Sequence, residues 1–174
     1  MKELQQLKEN KQKLISRLDS WTEDQLSAKE SDESWSAKQI VEHILVSEMG
    51  TFHYMKKKTS SGWDALEDAN EEHRESSNKL NAALTSDKKW KAPPVLPEPV
   101  GDAPWEKLKM KWLGMNAPLE QFSTNMPEGA EVKLVSKHPY AGRQTMEQTL
   151  GFLAEHITHH HHQIDRLEEF LQKK

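Results

Sequence analysis

Five of the chain's nine histidines crowd into seven residues, His156-Ile157-Thr158-His159-His160-His161-His162. Imidazole serves both metal binding and proton transfer near neutral pH, so what matters is which of the five face the interior. The run looks like a piece of purification tag, yet it lies inside an amphipathic pattern. At about 100° per residue, Met146, Thr149, Phe152, Leu153, Ile164, Leu167, Phe170 and Leu171 gather on one helix face. His156 and His160 fall in the middle of that face, His159 at its edge, and His161 and His162 point away. Two histidines four apart on a helix have Cβ atoms about 5–6 Å apart. Two imidazole nitrogens, each about 2.0–2.1 Å from a zinc ion, span a similar gap. Imidazoles on a core-facing stripe also need partners. One metal ion supplies a partner to both; hydrogen bonds to neighbouring helices are the bland alternative.

A third ligand has to come from elsewhere, and His43, His53, His73 and His138 are the candidates. His43 is the best placed, near the middle of a well-defined helix and on the flank of its apolar stripe. His53 faces the other way near the end of that helix, His73 sits in a weaker helical pattern, and His138 precedes Pro139 in a loop. Glu48 stands within the apolar stripe among Ile44, Leu45 and Phe52. A buried carboxylate needs a partner or a raised pKa. Glu48 therefore either assists the site, orienting a histidine or acting as a base, or forms an ion pair at a helix interface. His159 has two readings as well, a contact at the site or a surface residue.

The elements that must position these groups are helices. Leu4, Leu7, Leu14, Ile15 and Leu18 mark a helix over residues 2–19, closed by Trp21 and Leu26. Ser36-Ala37-Lys38-Gln39 is a capping box that starts a second helix, running to about residue 57. A weaker pattern over 64–85 predicts another. The proline-rich stretch 91–104 predicts an ordered, extended connector between Trp90 and Trp105. A helix from Pro104 carries Trp105, Leu108, Trp112 and Met115, with Pro118 kinking or interrupting it. Residues 127–144 read as irregular, with one extended run at 132–135. Thr145-Met146-Glu147-Gln148 is a second capping box, opening a long helix to about Phe170. No repeat or low-complexity tract interrupts this order, and the expected fold class is all-α, one domain over residues 1–174.

Composition narrows the function further. The 174 residues carry a net charge of −4, and the basic clusters are short: 56–58, 88–89 and 173–174. Nucleic-acid binders usually concentrate basic charge on one surface, so nucleic acid is not an expected partner. There is no cysteine, hence no thiolate nucleophile or Cys-containing zinc site. The N-terminus is polar and no stretch is long enough to span a bilayer, which predicts a cytoplasmic location away from membranes.

Trp35-Ser36-x-x-x-Ile40-x-x-His43, then His138-Pro139-Tyr140-x-Gly142, then His156-x-x-His159-His160-x-x-Gln163-Ile164 resembles the DinB/YfiT-like superfamily over nearly the whole chain. The resemblance implies a four-helix bundle with long irregular connectors and a divalent metal held by His43, His156 and His160. It also implies a homodimer. Many relatives have Arg-Gly where His161-His162 stand here, which leaves the ligands alone but changes the surface beside them. Some members resemble thiol S-transferases that use a low-molecular-weight thiol such as bacillithiol, some are thiol-dependent isomerases, and many are described as metal-dependent hydrolases. Three protein ligands leave a coordination position open, as catalytic rather than structural zinc sites do. The first expectation is a metal-dependent enzyme of the thiol-transferase kind, acting on a small molecule, with Glu48 or His159 assisting proton transfer. The rivals are a hydrolase that activates water and a non-catalytic metal- or ligand-binding stress protein. Zinc is the expected ion, nickel the second.

Overall fold

The computed structural model describes residues 1–85 and 96–173. Its elements in chain order are α1 (Lys2–Leu18), α2 (Glu23–Ser27), α3 (Ala37–Thr59), α4 (Glu71–Leu84), α5 (Trp105–Gly114) and α6 (Asn116–Thr124). A 3-10 turn at Ala130–Val132 follows, then β1 (Ser136–His138), β2 (Gly142–Gln144) and α7 (Met146–Gln172). The fold is mostly helical, as expected, with one small antiparallel hairpin.

Both predicted capping boxes form. Ser36 Oγ accepts from the Gln39 N–H, and Gln39 Oε1 accepts from the Ser36 N–H at 3.0 Å. Thr145 and Gln148 repeat the exchange at the start of α7. These caps fix where α3 and α7 begin, and so which residues face inward one and three turns later. Trp112, Leu14, Leu18, Ile40, Leu119 and Ile157 are among the fully buried side chains of the core cluster. α1 runs along α7, α3 packs against α5 and α7, and α4 lies on α7 and β2.

Pro118 interrupts its helix as expected. It sits in the first turn of α6, where a missing N–H costs little. The break at Met115 turns the chain into a tighter bond, Met115 N–H to the Trp112 carbonyl. The connector is held where it is described. Gln39 Nε2 donates to the Pro99 carbonyl at 2.8 Å, and the Gly101 N–H donates to Glu42 Oε2 at 2.6 Å. Gly101 has φ +73°, and a Cβ there would meet Gln39 Cγ at 2.6 Å. Only glycine fits that approach. Trp90, Pro93, Pro94, Lys88, Lys89 and Lys174 lie outside the described residues.

Three expectations need correction. The helix predicted over 64–85 begins only at Glu71, where Asn70 caps it. Trp21 and Leu26 do not merely end α1, because Thr22 caps a short α2. The extended run expected at 132–135 lies later, at 136–138, and pairs with 142–144. The reason is the turn between them. Pro139 suits its first position, and Gly142 at φ +72° supplies the left-handed residue that closes a three-residue loop.

Candidate metal centre

α3 and α7 bring His43, His156 and His160 to one point. Their relative exposures are 5%, 8% and 4%. His43 Nε2 lies 3.2 Å from His156 Nε2, and His160 Nε2 lies 3.0 Å from the same atom. Ligand atoms of all three fall within 4.8 Å of one another, and among the described residues this is the group that could hold a metal ion. Aromatic rings wedge two of the imidazoles in place: Trp35 sits 4.9 Å from His43, and Phe152 stacks on His156 at 5.5 Å and 16°.

Proton bookkeeping shows why the donor set fits a cation. His160 Nδ1 lies 2.8 Å from Gln163 Oε1, which can only accept. His160 therefore carries its proton on Nδ1 and turns a bare lone pair on Nε2 toward the other rings. A neutral His156 has one proton. If it lies on Nε2, it satisfies one neighbour and leaves the other unmatched; if on Nδ1, its Nε2 lone pair faces that of His160 whichever nitrogen of His43 is protonated. His156 Nδ1 is itself buried without a hydrogen-bond partner. A divalent ion held by the three imidazoles would accept the lone pairs that face one another between them. Burial favours the neutral form these ligands need. It lowers His43 to about 4 and His160 to about 3, and pushes His156 well below the usual histidine value, with the neighbouring imidazoles adding to the effect.

A stability prediction follows from those directions. Histidines in an unfolded chain titrate near 6.5, whereas His43 stays neutral until about pH 4. Between those values the unfolded chain binds more protons, so acid favours unfolding. Metal-stripped protein is expected to keep full stability above pH 6.5 and lose it as pH falls toward 4. At about 1.4 kcal/mol per pKa unit, His43 alone accounts for roughly 3 kcal/mol. Urea titrations of chelator-treated protein at pH 7 and pH 4.5 measure this, and an unchanged midpoint would contradict it.

The remaining candidates scatter. His53 is exposed on α3 and His73 joins the N-terminal cap of α4. His138 ends β1 beside the hairpin turn, outside the three-histidine group. His162 is exposed as expected, but His161 is half-buried beside Asn10 and Arg17. α1 lies along α7 and widens its buried arc beyond the single stripe that the periodicity marks. His159 is half-buried, and its Nδ1 lies 3.0 Å from the Leu84 carbonyl at the end of α4. A carbonyl only accepts, so His159 carries its proton on Nδ1 and leaves Nε2 as a base.

Glu48 is fully committed elsewhere. Oε1 accepts from Lys11 Nζ at 2.8 Å, and Oε2 from Trp112 Nε1 at 2.9 Å. Lys11, which the sequence pattern does not single out, is as buried as its partner. Its ammonium also reaches the Trp112 carbonyl at 3.1 Å and Asn116 Oδ1 at 2.8 Å.

The three histidines open on a cavity of about 400 Å³. Trp35, Tyr54, Leu84, Leu96 and Phe152 form much of its wall, and 137–140 of the hairpin close one side. His159 and Gln163 line it as well, whereas Glu48 does not.

The DinB superfamily model matches residues 6–164, and the chain belongs to this superfamily. No curated protein and no solved structure matches it. The three-histidine group on α3 and α7 fits the metal site expected of that family. No helix among the described residues is long and apolar enough to cross a membrane.

Proposed function

We propose that the chain is a metal-dependent thiol S-transferase whose cavity takes a small thiol and an electrophilic small molecule. The observation that carries this reading is the convergence of three neutral imidazoles on one side of a largely apolar cavity. Zinc is the proposed ion, with nickel second, since imidazole suits both. When bound, the ion would hold the thiol as its thiolate. The chain's own residues do the rest. His159 Nε2 takes the thiol proton, while the Leu84 carbonyl keeps the ring in the required tautomer. Trp35, Leu84 and Phe152 exclude water and receive the apolar part of the substrate.

The cavity wall favours a thiol over water as the group that gives up its proton. No carboxylate stands among the described lining residues, and Glu48 is held by Lys11 and Trp112. A homodimer, implied by the resemblance, and a cytoplasmic location, expected from the sequence, are carried in the same proposal.

Zinc-loaded protein is to be assayed with an electrophilic aryl halide, with and without 2-mercaptoethanol. Turnover is expected only with the thiol. His159→Gln is expected to lower kcat about 100-fold at unchanged zinc content. Hydrolysis of esters or amides, indifferent to added thiol and to His159→Gln, would replace this reading with a hydrolase.

A further inference from the structure

The hairpin beside the cavity carries a histidine whose proton the backbone has already placed. The N–H groups of Tyr140 and Ala141 both donate to His138 Nδ1, each at 3.2 Å. Two donors converging on one ring nitrogen require a lone pair there, so neutral His138 carries its proton on Nε2. Burial keeps the ring neutral, lowering its pKa to about 4. The ring packs against Phe152 at 4.5 Å between centroids, and Phe152 in turn stacks on His156. His138 lines the cavity, and its Nε2–H has no acceptor among the described residues.

Its neighbour Lys137 adds charge to the same wall. Lys137 stands opposite Arg143 in the hairpin register. Arg143 is paired with Glu67 at 2.5 Å, whereas Lys137 has no ion pair among the described residues. Lys137 is exposed, and it is the cationic residue among the described lining residues, none of which is acidic.

We infer that His138 Nε2–H and the Lys137 ammonium form an oxygen-anion subsite that fixes one end of the ligand in the cavity. The two groups differ in task. Lys137 attracts an anionic oxygen, and His138, a directional donor whose ring two backbone N–H groups hold, sets where that oxygen lies. His138 and His159 thus face the cavity with opposite tautomers, one a donor and one an acceptor. The inference deepens the transferase reading, and rests on it for the sulfur end of the ligand: the preferred thiol carries a carboxylate or similar anion.

The test uses zinc-loaded, ¹⁵N-histidine-labelled protein, with the His138 signals assigned by their loss in His138→Phe. At pH 7 the Nε2–H tautomer is expected, and acetate or mercaptoacetate should move its Nε2 resonance. By calorimetry, mercaptoacetate should bind about tenfold more tightly than 2-mercaptoethanol. His138→Phe and Lys137→Met should each erode that preference at unchanged zinc content. An Nδ1–H tautomer overturns the inference. So does an unmoved resonance together with an undiminished preference in both variants, even where mercaptoacetate binds and the thiol reading stands. If acetate moves the His138 resonance but mercaptoacetate binds no more tightly than acetate, the thiol reading fails and the subsite stands. Should His138→Phe fail to fold, His138→Gln supplies the assignment in its place, and Lys137→Met tests the preference independently.

Discussion

Elemental analysis of tag-free protein, purified without metal-affinity resin, is expected to find about one divalent ion per chain, and none in His160→Ala. Three imidazoles converge on one point, and removing His160 leaves only His43 and His156, whose Nε2 atoms lie 3.2 Å apart. Two monodentate ligands hold an ion far more weakly than three. Loss of an outer partner that merely orients a ligand already costs 10–100-fold in affinity, so losing the ligand itself should cost more than about 100-fold. The orienting partner here is Gln163, whose Oε1 accepts from His160 Nδ1. Gln163→Leu should therefore bind the ion with an affinity between that of the wild type and that of His160→Ala. The control lies in the same run of histidines. His162 is exposed beside Asp165, 3.6 Å away, and His162→Ala should keep the ion. If His162→Ala lost metal as readily as His160→Ala, the run would be acting as an exposed chelating tag. If the wild type took up no ion even on reconstitution, the three histidines would be a core cluster, and a non-catalytic bundle would be the better reading.

The face of α7 that carries this prediction was legible in the sequence because helical periodicity is a local property. Thr145 and Gln148 start the helix, and three turns later 3.6-residue spacing alone turns His156 and His160 inward. His43 followed from the same logic on α3, begun at Ser36. What lies between helices was not legible in this way. His161 read as outward, because nothing in α7 records that α1 lies along it. The hairpin was missed although its turn is written in His138-Pro139-Tyr140-Ala141-Gly142. Pro at the first turn position and Gly at a left-handed one are a usable signal. Three-residue strands are too short for alternation to show. The tautomers of His138 and His159 depend on which backbone groups meet the rings, and only the folded chain fixes that.

Lys11 shows the same limit most sharply, and it bears on the second large effect expected. In Glu9-Asn10-Lys11-Gln12-Lys13 it reads as one more solvated charge, yet its side chain is 0% exposed and that of Glu48 1%. Two further acceptors for Lys11 come from the helix break before Pro118. By ending α5 at Gly114, the proline leaves the Trp112 carbonyl and the Asn116 side chain within reach of Lys11 Nζ. Lys11→Met removes the ammonium and leaves a buried carboxylate with only Trp112 Nε1 to hold it. Breaking a buried pair from one side costs about 3–5 kcal/mol. In a protein of this size that corresponds to a fall of about 10–15 °C in Tm. Lys11→Met/Glu48→Leu removes both charges and should recover most of the loss, because an apolar pair can replace a buried ion pair at little cost. Thermal unfolding of the two variants at equal metal content measures the difference. A Lys11→Met protein as stable as the wild type would mean that Glu48 does not need Lys11. A double variant that regains stability and keeps thiol-dependent turnover would place Glu48 wholly in the architecture, leaving His159 as the base.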